Sequence, residues 1–253
     1  MNNRVLTQQQ ISDFNRDGYV IVRGHYSPEE IKCLQDKAFN DDSLYERAWH
    51  KKDAEGTVSK VCLWQETGND LYSMFSRGRR LAESVEAILG EEVYHTSTKI
   101  MMKEPFVGGA WEWHQDFGYW HKDNYLLRSD IVSCMIGVNR ATIENGCLQV
   151  LKGSHQLGRL DHNKTGDQKG ADMEFVEQAM KSHELINVEL EPGDVLFFHC
   201  NLLHKSNQNR SSEPRWSMIC AYNTLSNRPF KENEAKVFPF EKIDDSAILN
   251  WSE

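Results

Sequence analysis

The feature that most constrains the fold is a change of hydrophobic period near residue 92. From Glu92 onward, apolar and polar residues alternate over short segments separated by turn signals, which is the pattern of half-buried strands. Helix signals stand before this region. Helices followed by about eight short strands predict an α+β chain that is mostly β, organised as a β-barrel or jelly roll.

Capping residues place the helices of the N-terminal part. Thr7 has capping-box spacing and opens a short helix that Gly18 ends. Ser27, standing before Pro28, is a stronger start signal, and its helix should run to about Phe39. A further helix is indicated by apolar residues at helical spacing before a glycine: Leu81, Val85, Ile88 and Leu89.

The strand and loop predictions divide the rest of the chain. Residues 40–60 show no clear pattern, and a polar excursion follows residue 153, with a possible helix over 173–182. We predict one domain over 1–253, made of a helical part (1–90), a barrel (92–225) and a C-terminal tail (226–253). The predicted strands are 19–22, 93–102, 130–138, 148–151, 185–190, 195–200 and 216–223.

Charge and composition exclude several kinds of partner. With 29 basic and 38 acidic residues the formal charge is −9, which argues against nucleic acid or an anionic membrane as partner. No run approaches the roughly 18 apolar residues of a membrane span, and no secretory signal is evident. Six cysteines without a Cys-x-x-Cys pair indicate reduced thiols. We expect a cytoplasmic monomer or homodimer that acts on a small molecule.

An aromatic-rich stretch from Trp111 to Trp120 contains the first candidate metal ligands. On an extended strand, His114 and Asp116 project to the same face while Gln115 points away. A second histidine from a distant strand would complete the two-His-one-carboxylate triad of non-haem Fe(II) oxygenases, which leaves coordination positions open.

Two late histidines could be the third ligand. His204 follows an apolar strand and a short loop, so the strand end should bring it to the mouth of a cavity. His199 lies inside the apolar run and can pack as a core residue. We predict His204 as the ligand and keep His199 as the alternative.

Cationic and aromatic residues suggest how the site holds its ligands. Arg215 can bind the remote carboxylate of a dicarboxylate through two parallel hydrogen bonds, and Ser217 faces the same way. Lys99, on an earlier strand, could add a positive charge. The alternatives are a structural ion pair for Arg215 and a surface position for Lys99. Candidate substrate residues are Phe117, Trp120 and His121.

The order of these motifs resembles the phytanoyl-CoA dioxygenase family. Over roughly residues 7–225 the chain carries His-x-Asp, Glu-Asn-Gly-Cys-Leu, Gly-Ser-His, Pro-Gly-Asp, a distal His and Arg-x-Ser. The Trp-His-Gln-Asp-Phe context is most similar to bacterial small-molecule hydroxylases, such as ectoine hydroxylase and free amino-acid hydroxylases.

This resemblance implies a double-stranded β-helix that uses Fe(II), 2-oxoglutarate and O2. His114, Asp116 and His204 would bind the metal, and the cosubstrate would be held by Arg215 and Ser217. The implied reaction is hydroxylation of a small soluble metabolite, an amino acid or related amine, with release of succinate and CO2. Asp116 argues against halogenation, because halogenating members have a small residue there.

Other functions remain open from the residues alone. They are desaturation or cyclisation by the same cofactors, a metal-dependent cupin-like enzyme that does not use 2-oxoglutarate, and a barrel that binds without catalysis. Residues 156–184 are the candidate lid over the site.

Overall fold

The computed structural model describes residues 5–231, 237–238 and 240–252. Its helices are α1 (Gln8–Asp17), α2 (Pro28–Phe39), α3 (Asp42–Arg47), α4 (Leu71–Arg77), α5 (Arg79–Leu89), α6 (Asp116–Asp123), α7 (Met173–Met180) and α8 (Ala247–Asn250), with a 3-10 helix at Ser154–Leu157. Its strands are β1 (Tyr19–Val22), β2 (Trp49–Lys52), β3 (Val58–Trp64), β4 (Val93–Lys103), β5 (Trp111–His114), β6 (Ile131–Gly137), β7 (Leu148–Leu151), β8 (His162–Thr165), β9 (Gln168–Ala171), β10 (Leu185–Val188), β11 (Val195–His199), β12 (His204–Ser206) and β13 (Arg215–Thr224).

Two antiparallel sheets form the body of the molecule. In the described part of the chain, the larger sheet has seven strands in the order β1-β11-β6-β13-β4-β3-β2, and the smaller has four in the order β10-β7-β12-β5. Residues of both sheets line one cavity between them. This is a double-stranded β-helix, so the predicted fold class is confirmed.

The larger sheet is covered on both faces. Its outer face packs against the helices in an apolar cluster that joins Leu34 and Phe75 to Phe197 and Met218. Its inner face and the smaller sheet share a second cluster, which includes Leu196, Phe198, Leu148 and Val150. Because alternate residues of each strand point to opposite sides, the sheet separates a dry helical layer from a cavity.

The predicted N-terminal helices form as their capping residues indicate. Thr7 and Ser27 each complete a capping box, and α2 ends at Phe39. Gly18 caps α1 with a φ of 81°, which glycine adopts without steric cost. Local side-chain hydrogen bonds therefore determine where this layer begins and ends.

The part over 1–90 contains two strands, β2 and β3, besides the predicted strand at 19–22. The segment 40–60, which showed no pattern, contains α3, β2 and the start of β3, and β2 and β3 form one edge of the larger sheet. The sequence of β2, Trp-His-Lys-Lys, is mostly exposed. Because this edge strand is largely exposed and three of its four residues are polar, its sequence shows no alternation of apolar and polar residues.

Two further observations concern cysteines and membrane spans. All six cysteines are free, and all but Cys33 are buried. Over the described ranges, no helix combines the length and the apolar character needed to cross a bilayer.

Candidate metal centre and its cavity

The three predicted ligands meet at one point. Ligand atoms of His114, Asp116 and His204 all lie within 4.8 Å of one another, and all three residues are buried. His114 Nε2 lies 3.9 Å from Asp116 Oδ1, and the two imidazole ring centroids are 4.0 Å apart. Two imidazoles and a carboxylate at this spacing suit a single divalent transition metal.

Neighbouring strands of the smaller sheet bring the two histidines together. His204 on β12 pairs directly with His114 on β5, so their side chains share a face. Asp116 is not on the strand, contrary to prediction, because β5 ends at His114 and Asp116 begins α6. The intervening Gln115 is still extended, with φ −116° and ψ 135°, so Asp116 nevertheless reaches the same face.

Backbone carbonyls orient both imidazoles. Nδ1 of His114 donates to the carbonyl of Glu112, and Nδ1 of His204 donates to that of Leu202, each at 2.8 Å. A carbonyl can only accept, so the proton lies on Nδ1 and Nε2 presents its lone pair to the centre. Burial lowers the pKa of both histidines, which keeps them neutral as metal binding requires.

The carboxylate of Asp116 is held on one oxygen and open on the other. Ser133 Oγ donates to Oδ2 at 2.6 Å, while Oδ1 faces the Nζ of Lys99 at 3.8 Å. Burial raises the pKa of Asp116, but the charge of Lys99, the histidines and the Ser133 hydrogen bond outweigh it and bring the pKa to about 2. The group is therefore ionised and its free oxygen is available to a metal. Ser133 was not found from the sequence, because it is one small polar residue within an apolar strand.

Gln115 links the metal-binding stretch to two other segments. Its buried amide donates to the carbonyls of Gly158 and Asn201 and accepts from the amide of Leu160, each at 2.7 Å. Its own backbone N–H donates to Nε2 of His162 at 2.9 Å. This fixes the stretch against the loop before β12 and against the start of β8. Sequence reasoning placed Gln115 only as pointing away from the metal.

Arg215 lies buried at another part of the cavity wall without an acidic partner. Nη2 donates to the carbonyl of Gly146 at 2.8 Å and Nη1 to Ser217 Oγ at 3.3 Å, while Nε has no partner. No carboxylate pairs with this guanidinium among the described residues, so the structural ion pair left open above is not observed there. Burial lowers its pKa to about 10, which leaves it charged at neutral pH. A buried unpaired cation suits an anionic ligand.

Lys103 is a second buried cation that sequence reasoning missed. It pairs with Arg215 across β4 and β13, is 0% exposed, and donates to the carbonyl of Asn207. Burial and the charge of Arg215 lower its pKa well below the usual lysine value. The signal was available, since Lys103 shares the inward face of β4 with Lys99 by the alternation rule. Lys99 itself pairs with Ile219, four residues away, and so lies beside Asp116 instead of Arg215.

A cavity of about 420 Å³ connects the triad with Lys99 and Arg215, whereas Lys103 is not among the described lining residues. The triad, Lys99, Arg215 and Trp120 line it, but Phe117 and His121 are not among the described lining residues. Phe117 packs in an apolar cluster with Leu126 and Ile131, and His121 Nδ1 bonds to the Leu126 carbonyl. Of the three candidate substrate residues, Trp120 is the one that borders the cavity in the described part of the chain.

His199 lies away from the triad. Its ring packs beside Phe14 and His155, with centroid distances of 6.4 and 5.4 Å, and its Nδ1 accepts from the amide of Asn201. The structure therefore brings His204, and not His199, to His114 and Asp116.

The β8–β9 hairpin borders the cavity. Asp167, Gln168 and Lys169 are among the lining residues, and Lys169 pairs with Asp123 of α6 at 2.7 Å. The hydroxyl of Tyr119, also on α6, donates to the carbonyl of Lys169. The hairpin belongs to the segment 156–184, whose role as a closing lid stays a prediction.

Fold and site together define a class, the metal-dependent oxygenases built on a double-stranded β-helix. The family model described as phytanoyl-CoA dioxygenase (PhyH) matches residues 14–217. The chain belongs to the phytanoyl-CoA dioxygenase family, as the order of its motifs predicted.

Relatives with known names agree with this assignment. An ectoine dioxygenase from Sphingopyxis alaskensis is 27% identical over 241 residues, which cover 90% of this chain and 79% of the relative. An L-proline trans-4-hydroxylase from Streptomyces griseoviridis is 31% identical over 159 residues, covering 57% of this chain and 59% of the relative. EctD from S. alaskensis, solved with 2-oxoglutarate and 5-hydroxyectoine, has a TM-score of 0.76 at 25% identity, covering 97% of this chain and 90% of that one. The predicted dioxygenase class is confirmed.

Proposed function

We propose that this dioxygenase uses Fe(II), 2-oxoglutarate and O2 to hydroxylate a small metabolite, an amino acid or related amine, with release of succinate and CO2. The observation that carries the proposal is the combination of an oriented two-His-one-carboxylate cluster and a buried guanidinium without an acid in the same cavity. The first suits a metal with open coordination positions. The second suits the remote carboxylate of a keto diacid.

The donor set fits iron. His114 and His204 each present an unprotonated Nε2, and Asp116 presents an ionised oxygen. Bound iron would supply the oxidising chemistry, since no side chain in the cluster can activate O2 on its own. The chain's own task is to fix the ligands and to surround them with a partly apolar wall, to which Met135, Leu148 and Phe198 contribute.

Arg215, Ser217 and Lys103 form the proposed cosubstrate end. The free Nε of Arg215 and its charge can bind one carboxylate, and the Ser217 hydroxyl lies beside the guanidinium at 3.3 Å. Lys103 lies next to this position, and an anion bound here would favour its protonated form, because an opposite charge stabilises the charged amine. Lys99, which the sequence also suggested for the cosubstrate, lies at the metal end.

Succinate release tests the proposal. The purified protein, supplied with Fe(II), 2-oxoglutarate and a panel of free and cyclic amino acids, should release succinate in a substrate-dependent way, and at least one panel member should gain one oxygen atom by mass spectrometry. A product that instead lost two hydrogens would indicate desaturation or cyclisation. Succinate release that is absent for the whole panel, or that proceeds without metal, would contradict the proposed reaction.

Location and assembly are proposals of the same kind. We propose a cytoplasmic monomer or homodimer, which the free cysteines support. Light scattering of the purified protein measures the assembly directly.

A further inference from the structure

Residues on the inward face of β4 lie near two different ends of the cavity. Lys103 lies opposite Arg215, at the proposed cosubstrate end, and Lys99 lies opposite Ile219. Four residues of a strand span about 13 Å, so Lys99 is well separated from the guanidinium. Ser97 lies two residues further in the same direction and also lines the cavity. Starting from the Arg215 end and moving along β4, one therefore passes the metal position before reaching the part of the cavity wall formed by Lys99 and Ser97.

Lys99 is a mostly buried cation, and the carboxylate that pairs with it, Asp116, is also a proposed metal ligand. Its side chain is 21% exposed, and Asp116 is the one carboxylate paired with it in the described part of the chain. Asp116 Oδ2 is held by Ser133, so Oδ1, the oxygen that faces Lys99, is the one left to bind a metal. A metal bound to Oδ1 would reduce the negative charge that faces the Lys99 ammonium. The ammonium would then need a second anion as its partner.

The surroundings of Lys99 strengthen any such pairing. Its strand neighbours are Leu63 on β3 and Ile219 on β13, and its Nζ lies 5.6 Å from the centre of the Trp120 ring. Apolar neighbours exclude water and lower the local dielectric constant, so a charge-assisted hydrogen bond here is stronger than one at the surface.

Ser97 supplies a second donor on the same wall. Its hydroxyl is buried, with the residue 4% exposed, and it has no hydrogen-bond partner among the described residues. Residues two apart on a strand are about 7 Å apart on one face. A carboxylate can accept from both groups at that separation, one oxygen to each.

We propose that Lys99 and Ser97 bind the carboxylate of the primary substrate, so that the enzyme selects small organic acids, such as amino acids, over their amides and decarboxylated amines. This inference rests on the proposed function and adds the group by which the substrate is recognised. The carboxylate would lie at the metal end, with the rest of the substrate between Trp120 and the apolar wall.

Paired ligands test the recognition directly. Amino acids of the panel, with L-proline included, and their carboxamides are titrated into the protein loaded with Fe(II) and 2-oxoglutarate under argon, with binding measured by calorimetry. At least one acid should bind at least tenfold more tightly than its amide. A panel in which no acid is preferred over its amide overturns the inference, even where succinate release upholds the proposed function.

Variants of Lys99 and Ser97 test whether these two residues bind the substrate carboxylate. Lys99→Met should weaken binding of the preferred acid at least tenfold and leave its amide unchanged, while Lys99→Arg restores most of the affinity. Ser97→Ala should weaken the acid several-fold, and Thr96→Val, a buried hydroxyl of the same strand that does not line the cavity, is its matched control. If Lys99→Met weakens 2-oxoglutarate and not the acid, Lys99 serves the cosubstrate and the inference is wrong.

Discussion

Each proposed metal ligand has one atom held by the protein and another left free. The two Nδ1 atoms and Oδ2 of Asp116 are occupied by the Glu112 and Leu202 carbonyls and by Ser133. The free atoms therefore point inward before any ion arrives, and little reorganisation is needed on binding.

The matched pair His204→Ala and His199→Ala separates a ligand from a packed histidine. His204→Ala should lower Fe(II) affinity by more than about 100-fold, because it removes a coordinating atom and not just an outer contact. His199→Ala should leave Fe(II) affinity within about twofold and reduce the free energy of unfolding by roughly 1 kcal/mol, through lost packing against Phe14. Metal titration and urea unfolding measure the two quantities. The reverse pattern would exchange the roles of these residues.

Arg215→Ala tests the cosubstrate end. Removing the guanidinium takes away a buried charge-assisted contact, so the KM for 2-oxoglutarate should rise by roughly 30-fold or more while Fe(II) affinity stays unchanged. Arg210→Ala, an exposed arginine before the same strand, is the control and should behave as wild type. Equal KM values for the two variants would remove Arg215 from the cosubstrate site.

The hydrogen bonds of Gln115 join three elements around the site. Its amide connects the β5–α6 junction to Gly158, Leu160 and Asn201, and so to the segments that lead into β8 and β12. Without the Gln115 side chain, the carbonyls of Gly158 and Asn201 and the amide N–H of Leu160 would lose a hydrogen-bond partner in a buried region.

Gln115→Ala should therefore weaken both stability and metal binding. We expect a loss of roughly 1–3 kcal/mol in the free energy of unfolding and about a tenfold loss of Fe(II) affinity, since residues behind the ligands usually have that effect. Gln178→Ala, a surface change on α7, provides the comparison. An unchanged Fe(II) affinity in Gln115→Ala would limit this residue to a structural role.

The elements that the sequence predicted are those whose signals are local. Capping residues identified α1 and α2, and the alternation of Val93 to Met102 identified β4 to within one residue. The short strand β12 and the start of α6 at Asp116 were missed, since pairing with β5 and β7 determines the first and the geometry of Gln115 the second. Tertiary contacts supply that information, and no stretch of sequence carries it.

The site was predictable where its chemistry needs particular residue types. A two-His-one-carboxylate cluster and Arg-x-Ser are recognisable in order, so the enzyme class and its cofactors followed from the sequence. Ser133 and Lys103 were missed because serine and lysine have many ordinary positions, and only the registers of β6 and β4 bring them inward. The role of Phe117 stays a prediction, because an aromatic residue next to a ligand can also pack in an apolar cluster, as Phe117 does here.

At the scale of the whole molecule, buried neutral histidines couple folding to pH. Burial lowers the pKa of His95 and of His199 to about 4, and Nδ1 of His199 must stay unprotonated to accept from Asn201. The unfolded chain binds protons near pH 6.5 and the folded one near pH 4. The stability that these groups contribute is therefore complete above about pH 6.5 and is lost as the pH falls toward 4.

Urea unfolding of the metal-free protein between pH 7 and pH 5 tests this coupling. The free energy of unfolding should fall on acidification, with about 1.4 kcal/mol per pH unit from each such histidine. His95→Gln should show a shallower fall than wild type, because glutamine does not titrate. An identical slope in the variant would mean that His95 does not contribute.

The buried cations Arg215 and Lys103 have a consequence for how the enzyme responds to its own co-product. Arg215 lines the cavity and Lys103 is its strand partner. In the proposed cosubstrate site they would face only the remote carboxylate, which succinate keeps after the keto acid has lost CO2. A site of this kind would bind succinate and 2-oxoglutarate alike, and only the keto group at the metal would distinguish them. Accumulated succinate should therefore slow turnover by occupying the same place, which ties the rate of hydroxylation to the balance of the two acids in the cell.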